Sequence, residues 1–169
     1  AYGLPSIEME GWEADDIIAT YATQALAEGG KVTIVSSDKD LMQLVTPDGR
    51  VRLLDTIPRP GQPALRWLGP DEVFDKFGVT PDKVIDVQAL CGDAVDNVPG
   101  VPGIGVKTAA ELINTYGSVE GLLDNIASIK QPKRRETLES NRELAIISKK
   151  LVTLSKEVPV PIPLDGLVK

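Results

Sequence analysis

Cys91-Gly92-Asp93-Ala94-Val95-Asp96-Asn97-Val98-Pro99-Gly100-Val101-Pro102-Gly103-Ile104-Gly105-Val106-Lys107-Thr108-Ala109-Ala110 is the run on which the reading of the chain turns. It sets two carboxylates, Asp93 and Asp96, three residues apart and directly before a turn rich in glycine and proline. The turn feeds a helix with Lys107 in its first turn. Outward-pointing glycine amides and a helix N-terminus hold a phosphate without reading a base. A lysine beside them makes such binding sequence-independent and sensitive to salt. Gly100, Gly103, Ile104, Gly105, Val106, Lys107 and Thr108 are the candidate contacts. The plainer account, a tight helix–helix connection in which glycines let backbones approach, holds at the same time. A nucleotide-binding P-loop does not fit, because Val106 separates Gly105 from Lys107 and a helix rather than a strand precedes the turn.

Upstream, two further acidic clusters stand at the edges of regular elements. From Trp12 to Glu28, Ile17, Ile18, Tyr21, Ala25 and Leu26 fall at helical spacing, and Gly29-Gly30 ends that helix. Its start carries Glu13, Asp15 and Asp16, with Glu13 and Asp16 expected on one face and Asp15 at its edge. Acids in a first turn also complement the helix dipole, which is the simpler role for them. Lys31 to Ser36 is a β-branched, mostly apolar run that reads as a buried parallel strand. It leads into Ser37-Asp38-Lys39-Asp40-Leu41, the opening of a short helix through Val45. Acids at the C-terminal end of a strand lie where open α/β sheets put their sites. A helix cap accounts for one of Ser37 and Asp38 and leaves Asp40 unexplained.

Composition narrows the chemistry. The 169 residues contain no histidine and one cysteine, Cys91, so histidine catalysis, His–zinc ligation and an intrachain disulfide are excluded. Any metal would have oxygen ligands, which favours magnesium, manganese or calcium. The seven carboxylates Glu13, Asp15, Asp16, Asp38, Asp40, Asp93 and Asp96 would repel one another if gathered without cations. They form either a divalent-metal site or three unrelated surfaces. Two such ions about 3.5–4 Å apart clamp an in-line phosphodiester displacement with no protein nucleophile. The net charge of −7 alone argues against a nucleic-acid partner, but distribution outweighs the total. A basic tract with Lys133, Arg134 and Arg135 follows the acidic first hundred residues; it reads as a solvated helix start or as a second backbone contact. No apolar run approaches the roughly 20 residues of a membrane span.

Further along, Asp48-Gly49 turns the chain into a second strand, Arg50 to Asp55. Thr56 to Gly69, with Pro58, Pro60 and Pro63, reads as an irregular loop. Helices are expected over 70–78, 80–90, 105–116 and 118–126, then one long helix over 132–154. The organisation expected is an α/β part over 1–68, a helical part over 69–157 and an extended linker over 158–169.

Glu13-Ala-Asp15-Asp16, Ser37-Asp38-Lys39-Asp40-Leu41 and Gly92-Asp93-Ala-Val-Asp96-Asn97-Val-Pro-Gly-Val-Pro-Gly-Ile-Gly-Val-Lys-Thr-Ala together resemble the 5′ nuclease domain of bacterial DNA polymerase I, within the flap endonuclease superfamily. The resemblance covers Glu13 to about Pro161. It implies a PIN-like α/β fold, an incomplete parallel sheet with helices, followed by a helix–three-turn–helix subdomain of the helix-hairpin-helix type. It further implies a 5′-3′ exonuclease and flap endonuclease that removes RNA primers and damaged strands in replication and repair. Its cofactors would be two divalent cations, Mg2+ or Mn2+, with Glu13, Asp15 and Asp16 on the first and Asp38, Asp40, Asp93 and Asp96 around the second. Relatives can add a monovalent cation, K+, at the helix–three-turn–helix, where Gly103, Gly105 and Lys107 would meet DNA. Expected partners are DNA with a 5′ flap, nick or gap, an RNA primer on DNA, and a polymerase domain in the same polypeptide. A monomer in the bacterial cytoplasm, associated with the nucleoid, is expected. The family's domain opens with a strand bearing a metal-site aspartate, then a second aspartate and a basic helical arch, and none of these lies between Ala1 and Glu13. The chain is thus expected to be the C-terminal two-thirds of such a domain. A second reading, for the fragment alone, is a non-catalytic duplex-binding module.

Overall fold

A computed structural model describes residues 4–167; the first three residues of the expected α/β part and the last two of the expected linker lie outside the described residues. Helix α1, Ala14–Ala27, buries Ile17, Ala19, Thr20 and Ala22, and the chain leaves it through Gly29 at φ +79°. Strands β1, Val32–Val35, and β2, Val51–Asp55, pair in parallel from Val32↔Val51 to Val35↔Leu54. The expected parallel pairing is present, but burial of β1 is one-sided. Ile34 is buried while Thr33 and Val35 are exposed, and Arg52, paired with Thr33 on β2, is exposed with them, so among the described residues one face of the strand pair is uncovered.

The proline-rich stretch expected as an irregular loop ends in a third strand. Strand β3, Arg66–Leu68, pairs antiparallel to β2 with Leu53↔Leu68 and Asp55↔Arg66 in register. Three residues give almost no periodicity to read. Charge and an aromatic ring supply the pairing instead. Asp55, 1% exposed, takes the guanidinium groups of Arg59 and Arg66, and the Arg52 guanidinium lies 4.8 Å over the Trp67 ring.

Helix α2, Pro70–Phe77, starts where the Gly69 N–H donates to Glu72 Oε2 at 2.8 Å. It ends at Gly78, φ +71°, where a side chain would come within 2.9 Å of the Ala110 Cβ. A 3₁₀ turn, Pro81–Lys83, then runs into α3, Val84–Cys91. Val84, Val87, Ala89 and Leu90 of α3 are fully enclosed between α4, Val106–Tyr116, and α7, Arg142–Val152. Between those lie α5, Val119–Asp124, capped by Ser118 Oγ, and α6, Pro132–Ser140. The single helix expected over 132–154 is therefore two, broken at Asn141, φ −123°. Serine and asparagine offer the backbone local alternatives to the helix, and here the Asn141 amide donates to the Thr137 carbonyl at 2.7 Å.

One apolar cluster runs from Ala19, Ile34 and Leu53 through Leu41 and Val73 to Leu90, Ile113 and Leu138. Sheet and helices share that core. The tail expected as an extended linker is instead fastened to α1 and forms a 3₁₀ turn at Leu164–Leu167. Its Val158 N–H donates to Thr20 Oγ1 at 3.1 Å, and Tyr21 Oη donates to the Ile162 carbonyl at 2.7 Å.

Candidate metal centre and phosphate grip

The loop after α3 closes on itself because two of its residues lack side chains. A Cβ at Gly100, φ +61°, would lie 2.5 Å from the Gly92 nitrogen, so only glycine lets the two ends of the loop touch. Between them Asp93 and Val98 exchange both backbone hydrogen bonds, at 2.9 and 2.8 Å. The Val95 N–H donates to Asp93 Oδ1 at 2.9 Å, and Asn97 turns the chain at φ +56°. Asp93 and Asp96 are thereby turned toward the sheet.

Asp40 meets them from the other side. It opens the 3₁₀ turn Asp40–Leu44, anchored by buried Leu41, Met42 and Leu44, and its N–H donates to Asp38 Oδ1 at 3.0 Å. Carboxylate oxygens of Asp40, Asp93 and Asp96 all lie within 4.8 Å of one another. The proton affinities record this crowding. Burial first, then the carboxylates of Asp38 and Asp96, hold Asp40 above its usual range, against the bond from Gln88. Asp15 is pushed up to about 6, first by burial and then by Asp38, Asp40, Glu13 and Asp16. Asp93 moves down, chiefly because Lys39 bonds it.

The seven acids do not converge equally. Asp40, Asp93 and Asp96 meet directly; Asp15 and Asp38 share their field. Glu13 is exposed at the N-cap of α1 without a capping bond. Asp16 does not share a free face with it, since Asp16 Oδ1 accepts the Ser155 N–H at 2.7 Å and ties α1 to the tail. Two residues enter the centre that motif reading left without a role. Gln88, 2% exposed on α3, donates to Asp40, and its own carbonyl oxygen is buried with no partner among the described residues. A polar residue, with Asp86 one of two inside the mostly apolar run Val84–Cys91, was its sequence signal. The other is Lys39, a cation between two acids.

The donor set fits a hard divalent cation. It is oxygen only, burial and then crowding raise two carboxyl pKa values, and the buried amide oxygen of Gln88, which bonds Asp40, lacks a partner among the described residues.

Beyond the loop the glycine turn divides its labour. Gly100 is buried and its N–H donates to Ser148 Oγ of α7 at 2.9 Å, and Ile104 is 6% exposed in the core. Both shape the turn. Gly103 and Gly105 face open space, where a Cβ would meet nothing within 4 Å. Val106 and Lys107 are exposed and Thr108 is half-buried at the head of α4, whose first turn carries no acid. Lys133 and Arg135 are exposed and Arg134 half-buried in the first turn of α6.

The fold and this centre match a class of nucleases. The family described as 5′-3′ exonuclease, N-terminal resolvase-like domain, matches residues 1–78, and 5′-3′ exonuclease, C-terminal SAM fold, matches residues 79–169. The chain belongs to the 5′-3′ exonuclease family. It is 54% identical over 168 residues to DNA polymerase I of Rhizobium leguminosarum and 43% identical over 167 residues to that of Bacillus caldotenax. Each match takes in 99% of this chain, which spans 16% and 19% of those relatives. The bacteriophage T5 flap endonuclease in a pseudo-enzyme–product complex with DNA and metal ions superposes with a TM-score of 0.73 at 26% identity, over 85% of this chain and 50% of that one. Among the described residues no helix is long and apolar enough to cross a membrane.

Proposed function

We propose that this chain carries the metal centre and the DNA grip of a 5′-3′ exonuclease and flap endonuclease within a DNA polymerase I. The observation that carries the proposal is the meeting of Asp40 with Asp93 and Asp96 across 53 residues of sequence, one turn of chain away from the open backbone at Gly103 and Gly105. A duplex-binding module alone would leave that crowding of charge without a purpose, so the second reading is not favoured.

In the proposed site Asp40, Asp93 and Asp96 hold one divalent cation, with Asp38 beside them, and Asp15 and Glu13 serve a second. Mg2+ is the proposed ion, with Mn2+ as a substitute. Such ions would offset the negative charge that builds in an in-line phosphodiester displacement and would activate a water. The chain's own residues position the substrate. Amides at Gly103, Gly105 and the head of α4 take a backbone phosphate, with Lys107 adding charge and a monovalent cation, K+, completing the turn. Lys133, Arg134 and Arg135 touch the same duplex further on. Asp16, bound to Ser155, shapes the first turn of α1 and acts on the site through Asp15.

Residues 1–68 and 69–157 are proposed as a division of labour within one core: acids of the sheet on one side, grip on the other, with Asp93 and Asp96 reaching across. The proposed substrates are 5′ flaps, nicks, gaps and RNA primers on DNA. We take the working protein to be a bacterial cytoplasmic monomer at the nucleoid, continuous with a polymerase.

The test is magnesium-dependent cleavage of a 5′-flap duplex by the polymerase that carries this chain. Asp96→Asn should lower the cleavage rate by about 100-fold or more while flap binding in calcium stays within about threefold. Equal cleavage by the variant would remove Asp96 from the centre.

A further inference from the structure

Between Asp38 and Asp40 the chain sets a cation. Lys39 Nζ bonds Asp93 Oδ2; the aspartate side chain is 7% exposed and the lysine side chain 35%. The other oxygen of Asp93 accepts the Val95 N–H, so the ammonium takes the lone pairs that the backbone leaves free. Carboxylate oxygens of Asp40 and Asp96 lie within 4.8 Å of one on Asp93, so the ammonium is bound to a member of the acidic group itself. Among the described residues Lys39 is the only basic side chain in an ion pair with any of the seven acids.

An ammonium group at Asp93 Oδ2 and a divalent ion on the same carboxylate compete for one negative charge. Whichever is present neutralises the same negative field, and each repels the other. A lysine is suited to yield, since it is a hydrated point charge on a flexible four-carbon stem. Its length lets the freed ammonium remain within reach of anything bound over the acids.

We propose that Lys39 is the resident counter-ion of the acidic centre: it holds Asp93 until a divalent cation displaces it, and the freed ammonium then takes a phosphate of the bound strand. The inference rests on the reading of Asp40, Asp93 and Asp96 as a metal centre. It makes metal loading an exchange of charge. It also ties part of the DNA affinity to the presence of metal, because the lysine can reach phosphate only when Asp93 releases it.

Two measurements on the polymerase that carries this chain, each variant set against wild type, test this. In calorimetric titration with Mn2+, Lys39→Met should bind the ion ~10-fold tighter than wild type, since a competing positive charge is gone. Lys39→Arg, which keeps the charge, should stay within about threefold of wild type. In binding of a duplex with a 5′ single-stranded arm, the log–log salt slope of Lys39→Met should be smaller than wild type by about one in calcium and equal to it in EDTA. Asp93→Asn frees the ammonium without metal, so its slope in EDTA should exceed wild type by about one.

Unchanged or weaker Mn2+ binding by Lys39→Met, with wild type binding normally, overturns the counter-ion. A slope change that is the same with and without metal overturns the exchange, and so does an Asp93→Asn slope equal to wild type in EDTA. If wild type itself takes up no Mn2+, the metal-centre reading fails and this inference falls with it.

Discussion

Asp15 shows at the scale of one residue what the acidic centre costs when no cation answers it. Its carboxyl is held at about 6 against an ordinary 3.8, by burial and then by four neighbouring acids. A carboxyl with a raised folded-state pKa binds its proton more tightly in the native chain than in the unfolded one. The stability it contributes is therefore full below about pH 4 and is lost as pH rises through about 6. In EDTA the melting temperature should fall across that window, and Asp15→Asn should flatten the fall. A divalent cation reverses the penalty, so the gap between melting temperatures in Mg2+ and in EDTA should widen from pH 5 to pH 7. A gap independent of pH would mean that the cation is bound elsewhere. Gly105 gives a second prediction at this scale. Its φ is −88° and a side chain there meets nothing, so the fold does not require glycine. Gly105→Ala should cost under ~1 kcal/mol in chemical denaturation, as alanine caps a helix poorly. It should weaken duplex binding by roughly tenfold, the worth of one hydrogen bond to a charged group. Normal binding by the variant would free the turn from its assigned part.

Elements, rather than single residues, decide where the acids meet. The loop 92–100 is a clasp at the end of α3, and the 3₁₀ turn 40–44 is a ledge at the end of β1. Gly100→Ala forces a Cβ into the Gly92 backbone at a positive φ and should cost about 3 kcal/mol. It should also abolish the Mg2+-dependent rise in melting temperature, because the clasp is what aims Asp93 and Asp96. The helices and the parallel strand pair were legible because each repeats a period over several turns or ends in a glycine. The triad of acidic clusters was legible because like charges recur at element ends, where a solvated surface would scatter them. What stayed hidden depends on partners distant in sequence. Strand β3 exists through Asp55 and Arg66, eleven residues apart, and the break between α6 and α7 through one asparagine amide turned back on its own helix. The holding of Asp40 by Gln88, across 48 residues, could not be read before the fold was known.

At the scale of the molecule the question is whether sheet and helices are two bodies or one. Leu41 and Leu90 belong to one apolar cluster, and α3 touches the 3₁₀ turn that carries Asp40 as well as α4 and α7. The tail closes the arrangement from outside. Gln43 in the 3₁₀ turn donates to the Val152 carbonyl at 2.8 Å and accepts the Leu154 N–H at 3.1 Å, while Asp16 and Thr20 of α1 hold Ser155 and Val158. The end of α7 is thereby bolted to the 3₁₀ turn that carries Asp40, and the chain after it to α1. A core and a set of buried hydrogen bonds that cross the boundary near residue 68 predict a single cooperative unfolding transition. Both tryptophans, Trp12 and Trp67, lie on the sheet side, whereas the helical signal comes mostly from residues after 69. Tryptophan fluorescence and far-ultraviolet circular dichroism should therefore give the same midpoint in urea, and Mg2+ should move both by the same amount. Separated midpoints, or a shift by Mg2+ of the fluorescence transition alone, would show that the acids of the sheet are held independently of Asp93 and Asp96. The rigid spacing between the proposed metal centre and phosphate grip would then be lost, and with it the physical basis for the proposed cut at a fixed distance along the duplex.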